Sequence, residues 1–167
     1  NNNLVSLSLK GLPKLSSLGC HQNSIASLDL SQLPKLSFLE CYTNNLAALD
    51  LSANSALTYV ACQNNLISEL KLDNCTALRK FDCSNNRLTG SLDLNKLTAL
   101  TSVSCGGNTL AAIGVNACTA LTSLSCANTS ITALDVTTLS LLESLVANDC
   151  LITTMDCSNN KKLATLY

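Results

Sequence analysis

The sequence predicts a solenoid, one short coil stacked on copies of itself, and three observations carry that expectation. Six cysteines, Cys20, Cys41, Cys62, Cys83, Cys105 and Cys126, recur at intervals of 21, 21, 21, 22 and 21 residues, a period typical of stacked coils. Rows of leucine share the same period, so each cysteine marks one place in a repeated unit. Around the cysteine, apolar residues alternate at strand spacing, and no helical period runs on long enough to compete.

The units can be taken in order. A partial unit over 1–14 places Asn2, Leu4, Leu7, Leu9 and Leu12 at repeat positions. Seven full units follow over 15–162, starting at Leu15, Leu36, Leu57, Leu78, Leu100, Leu121 and Leu142. A truncated unit over 163–167 ends the chain, so 1–167 reads as a single domain. Solenoids need capping units, and the incomplete units at both ends give the expectation of a fragment of a longer protein. The first full unit sets the pattern with Leu15, Leu18, Cys20, Asn23, Ile25, Leu28, Leu30 and Leu33. Its Leu, Ile and Cys columns should face inward and stack on the coils above and below. Asn23, Asn44, Asn65, Asn86 and Asn108 form a polar column where the chain turns inside the coil. A buried amide both donates and accepts, and so can satisfy backbone groups that no strand pairs. Thr129 and then Cys150 occupy this place in the last units. The Leu78 unit carries one extra residue near Thr89-Gly90-Ser91, read as a loop insertion or bulge. Because Leu15-x-x-Leu18-x-Cys20 is echoed by Ile25-x-x-Leu28-x-Leu30, each coil holds two strand-like stretches. The expected architecture is a parallel concave β-sheet with short strands or extended turns on the convex side and little or no α-helix.

The unit resembles the leucine-rich repeat, and the match recurs seven times over essentially the whole chain. The 21-residue units, the cysteine ladder and runs such as Asn44-Asn45-Leu46-Ala47-Ala48-Leu49-Asp50-Leu51 and Cys83-Ser84-Asn85-Asn86-Arg87-Leu88 are similar to bacterial internalin-type proteins, in particular the internalin J type. That resemblance implies a secreted or surface-anchored bacterial protein with a role in adhesion, host contact or biofilm formation. It implies a partner that is a protein or glycan on a host cell or a neighbouring bacterial surface.

Composition excludes several other classes. The formal net charge is −1 and no basic run exists, which argues against nucleic acid or an anionic membrane as partner. No apolar run approaches the roughly 18 residues of a membrane-spanning helix. The ten cysteines invite disulfide, zinc and catalytic readings. Ladder neighbours about 4.8 Å apart with parallel side chains do not suit a disulfide. A single stacked row does not supply a tetrahedron for zinc. Cys20 points inward and the adjacent His21 outward, so they form no dyad. Free buried thiols acting as small hydrophobes are expected, with no cofactor and no enzymatic activity. Asp29, Asp50, Asp93, Asp135 and Asp156 share one outward column that could gather calcium, but Lys71 and Gly114 interrupt it. Hydrogen bonding to the local backbone is the favoured role for these carboxylates.

The outward positions beside the cysteines are the expected contact surface. They carry Ser17, Gly19, His21 and Gln22, then Phe38, Glu40, Tyr42 and Thr43, then Tyr59, Ala61, Gln63 and Asn64, then Lys80, Asp82, Ser84 and Asn85. Later coils offer Ser102, Ser104, Gly106, Ser123, Ser125, Ser144 and Val146. Four of the five aromatic residues (Phe38, Tyr42, Tyr59 and Tyr167) fall on such positions, and only Phe81 takes a core position. Aromatics concentrate at binding hot spots, which points to a ligand-binding patch of His21, Phe38, Glu40, Tyr42, Tyr59, Lys80 and Asp82. The competing account is that aromatics favour strands and stack along a sheet in a protein that serves as a spacer.

Overall fold

In the computed structural model, which describes residues 2–167, the chain winds into a stack of coils with no helix among those residues. The strands, numbered in chain order, are β1 (Ser17–Gly19), β2 (Phe38–Glu40), β3 (Ala48–Asp50), β4 (Tyr59–Ala61), β5 (Glu69–Lys71) and β6 (Lys80–Asp82). They continue as β7 (Thr89–Asp93), β8 (Ser102–Ser104), β9 (Thr109–Gly114), β10 (Ser123–Ser125), β11 (Ser144–Val146) and β12 (Thr165–Leu166). One eight-stranded parallel sheet runs β1-β2-β4-β6-β8-β10-β11-β12 along the solenoid. The return side carries only the pairs β3–β5 and β7–β9, both parallel, and is extended chain and turns elsewhere. The expected split between a continuous sheet and a looser return side is therefore present.

Register keeps repeat positions aligned. Ser17 lies opposite Phe38, Phe38 opposite Tyr59, Tyr59 opposite Lys80 and Lys80 opposite Ser102. The extra residue of the Leu78 unit falls on the return side, since Lys80 pairs with Ser102, 22 residues on, and Leu92 with Ile113, 21 residues on; between these points the β7–β9 register shifts at Gly90 and Ser91 and leaves Ala111 of β9 unpaired. Gly90 has φ +67° there, a conformation that glycine adopts without a Cβ penalty. The sheet face passes this coil without losing alignment.

The leucine columns fill the interior. Leu39, Leu57, Leu78, Leu100, Leu121 and Leu142 are fully buried, and so are the ladder thiols Cys41, Cys62, Cys83, Cys105 and Cys126. Each buried leucine contributes about 1.5–3 kcal/mol relative to an exposed one. At the two ends Leu4, Val5, Leu166 and Tyr167 stay exposed.

The asparagine column does what a buried amide must. Asn44 Oδ1 accepts the Ile25 N–H at 3.0 Å, while its Nδ2 donates to the carbonyls of Cys20 and Cys41 at 3.0 and 3.1 Å. Asn65 repeats this with Leu46 N–H and the carbonyls of Cys41 and Cys62. Asn86 and Asn108 continue the series, and Asn23 ties Leu4 of the partial coil to the stack. Every amide thus joins its own coil to the one before it. Thr129 supplies only a hydroxyl donor, to the Cys126 carbonyl at 2.8 Å. Cys150 follows with a weak thiol donor to the same carbonyl at 3.3 Å.

A second polar column lies at the opposite corner. Asn54 Nδ2 donates to Leu30 and Leu33 carbonyls, Cys75 Sγ to Leu51, Cys118 Sγ to Leu94, and Asn160 Nδ2 to Val136 and Leu139. Cys75 and Cys118 are therefore corner donors as well as core filler.

Candidate functional site

The candidate surface is the outward face of β1, β2, β4 and β6 and the residues just after them. Three parallel rows cross it. The first runs Ser17, Phe38, Tyr59, Lys80, and the second Gly19, Glu40, Ala61, Asp82. The third, just past the strands, runs His21, Tyr42, Gln63, Ser84.

Rings pair within rows. Phe38 and Tyr59 stack with centroids 4.5 Å apart and planes within 8°. His21 and Tyr42 stack at the same 4.5 Å, within 9°. These two stacks flank the middle row, whose outward side chains are short at Gly19 and Ala61. Ala61, expected to be an exposed position, is instead only 2% exposed. It ends at Cβ and sits in register between the longer Glu40 and Asp82, so its neighbours cover it. Gly106, also expected outward, is buried for the same reason of size; a Cβ there would come within 2.6 Å of the Ala127 carbonyl oxygen.

The two carboxylates differ. Glu40 is 27% exposed, and its Oε2 lies 3.6 Å from Nδ1 of His21, itself 31% exposed; that distance is too long for a hydrogen bond. Asp82 Oδ1 accepts from the Ser84 N–H at 3.0 Å and the Ser84 hydroxyl at 2.6 Å. The Tyr59 phenol is pushed above its usual pKa, first by burial and then by the negative charges of Glu40 and Asp82. The middle row and the Phe38–Tyr59 stack thus share one electrostatic neighbourhood. Lys80 stands exposed beyond Tyr59. The structure brings His21, Phe38, Glu40, Tyr42, Tyr59, Lys80 and Asp82 together on one half of the sheet face. Tyr167 lies at the far end of the stack, where its N–H reaches the Leu145 carbonyl.

The cysteines remain thiols, eight of them buried and Cys150 and Cys157 half-buried. Burial pushes the Cys41, Cys62 and Cys83 thiols well up, and neighbouring ladder thiols add to the effect. They are poor nucleophiles in that state. The aspartate column turns back on its own backbone. The Oδ1 atoms of Asp29, Asp50, Asp93, Asp135 and Asp156 accept the N–H of the residue two positions on, at 2.8–3.0 Å. Lys71 bridges to Asp50 at 3.1 Å. These carboxylates are turn formers.

The backbone conformation of one outward column escaped the sequence reading. Gln22, Thr43, Asn64, Asn85, Asn128 and Asp149 all have φ between 52° and 56°, and Gly107 has 65°. This left-handed residue lies immediately after the third row and turns each coil off the sheet. The signal was present, since Asn, Asp and Gly fill most of the column and tolerate that conformation. Thr43, a β-branched residue at φ 54°, is held there by Thr43 N–H to Gln63 carbonyl at 2.9 Å and by Asn23 N–H to the Thr43 carbonyl at 3.1 Å. Asn54 and Asn160 escaped for another reason: they are isolated amides in a column of Leu and Cys.

No protein-family model matches the sequence, and no curated protein sequence matches it. Solved structures do match. The functional domain of InlJ from Listeria monocytogenes, which includes a cysteine ladder, superposes with TM-score 0.81 at 31% identity over 97% of this chain. This chain is an internalin-like leucine-rich repeat solenoid. It spans 41% of the InlJ chain. A leucine-rich repeat protein of Leptospira interrogans matches with TM-score 0.83 at 20% identity, over 93% of this chain and 44% of that one. Internalin C2 from Listeria monocytogenes matches with TM-score 0.84 at 19% identity, over 93% and 71% respectively. These last two share the fold. The internalin-like solenoid accounts for the rows above: its inward columns are fixed by packing, and its outward rows are free to differ from coil to coil.

Proposed function

We propose that this chain is a protein-interaction module of a bacterial surface or secreted protein, acting in adhesion to a host or neighbouring cell without catalysis. The supporting observation is the unevenness of the sheet face. Aromatic and charged side chains crowd its first four strands, and the next three strands present mostly serine. Packing does not require this unevenness, because the same inward columns persist through both halves. Tyr and other aromatics on an open sheet are the residue types that carry binding energy at interfaces. The test is binding of labelled protein to cultured epithelial cells and to bacterial biofilm, comparing the parent chain with a Phe38→Ser, Tyr42→Ser, Tyr59→Ser variant whose circular dichroism is unchanged. Loss of at least tenfold in binding supports the module; undiminished binding by the folded variant rejects it.

A second reading, a spacer that projects other domains, draws on one observation. The aromatic rings stack on each other along the solenoid, as cross-strand pairs do when they only stabilise a sheet. For a spacer the triple variant would lose stability, and the parent chain would bind neither surface.

A further inference from the structure

The rows around Glu40 define what kind of partner the face suits. Glu40 lies between two ring stacks, Phe38–Tyr59 in one neighbouring row and His21–Tyr42 in the other. Its carboxylate accepts no hydrogen bond among the described residues, and His21 Nδ1 beside it stays at 3.6 Å. A half-buried carboxylate with unused acceptor capacity beside aromatic residues is suited to a cation, which gains both charge pairing and ring contact. Asp82 repeats the charge in the same row two coils on, with Oδ1 committed to Ser84 and Oδ2 open. The residue between them is the buried Ala61, which leaves the row low at that point.

Resting on the proposal that this face is the binding surface, we propose that Glu40 and Asp82 receive two cationic side chains of one extended polypeptide, spaced three residues apart. The spacing follows from geometry. Two strand intervals place the carboxylate-bearing positions about 9.6 Å apart. A polyproline II segment returns to the same side every three residues, at about 9.3 Å. A β-strand presents same-side residues about 6.6 Å or 13 Å apart, and neither matches. The same segment would lie along the solenoid axis, over the low point at Ala61 and between the ring stacks. Lys80 is exposed on this part of the face and adjoins Asp82 in its own strand. Lys80 therefore opposes the incoming charge and limits affinity.

The test uses the whole chain and fluorescent proline-rich peptides carrying two lysines with two, one or four intervening prolines, with a glutamate version of the first as control. Binding is followed by fluorescence anisotropy at low and moderate salt. The peptide with two intervening prolines should bind about tenfold more tightly than the others, and the glutamate version should not bind. Glu40→Gln and Asp82→Asn, which keep side-chain shape, should each weaken it about fivefold, and Lys80→Ser should tighten it severalfold. Equal affinity for all lysine spacings, or affinity unchanged in Glu40→Gln, overturns the inference. If those peptides fail while the aromatic triple variant still abolishes cell binding, the cationic partner is wrong and the binding face stands. If the triple variant also binds cells normally, both fall.

Discussion

The first four strands of the long sheet and the next three are built on the same interior and present different exteriors. Leu39 and Leu145 are equally buried, Cys41 and Cys126 occupy the same ladder, and strand register is unbroken between the halves. Yet outward rows that hold Phe38, Tyr59, Glu40 and Tyr42 in one half hold Ser102, Ser123, Ser104 and Ala127 in the other. In a coil, the inward column is constrained by contacts above and below, while an outward side chain meets only its row neighbours and solvent. The difference between the halves is therefore not one that folding imposes. The interior is not wholly uniform either, because the amide ladder runs only as far as Asn108 and then gives way to Thr129 and Cys150.

The largest effect should come from that last contrast. Asn65→Ala strips partners from the Leu46 N–H and the Cys41 and Cys62 carbonyls, all buried, and should cost about 3–5 kcal/mol in urea unfolding. Thr129→Ala removes one donor and should cost about 1 kcal/mol. Equal losses would show that the amide ladder is not what binds coil to coil. Next comes the surface contrast: replacing Phe38, Tyr42 and Tyr59 by serine should lower cell binding at least tenfold, about 1.4 kcal/mol. Replacing Ser102, Ser123 and Ser144 by alanine should leave it unchanged, and a comparable loss there would erase the distinction between the halves.

Thiol chemistry gives a third contrast. Alkylation of the native chain should reach Cys150 and Cys157 first, with Cys41, Cys62 and Cys83 protected until unfolding. Mass spectrometry of a time course checks this, and early labelling of Cys62 would contradict the packed ladder. The smallest effect concerns the return side. Bonds from Ser52 and then Lys71 hold the Asp50 carboxyl down at about 2, while Asp135, bonded by Thr137 and then Asn116, is lowered without a lysine partner. A depressed folded-state pKa contributes stability above the unfolded value near 3.8, lost as pH falls through about 2. Asp50→Asn should therefore flatten the acid limb of the stability curve between those values more than Asp135→Asn does.

The sequence made the repeating parts legible because each inward position is sampled seven times, and a column of Leu, Cys or Asn has one physical reading. The insertion near Gly90 was visible as a break in period. Less visible was anything that depends on one coil's neighbours. The burial of Ala61 follows from the length of Glu40 and Asp82 beside it. The ring stacks depend on side-chain rotamers that no spacing encodes. The left-handed column was obscured by Gln22 and Thr43, residues that do not announce that conformation. Asn54 and Asn160 interrupt a column of Leu and Cys, and only the corner carbonyls they serve explain them.

The extra residue near Gly90 has a consequence for how such a chain can change its length. One added residue is taken up entirely between Leu88 and Leu92, on the return arc, while Lys80 still faces Ser102 and Asp82 still faces Ser104. Insertions and deletions on that arc need not disturb the lattice of outward rows on the sheet. The arc can therefore drift in sequence and length, or take an engineered tag, while the sheet face keeps its spacing.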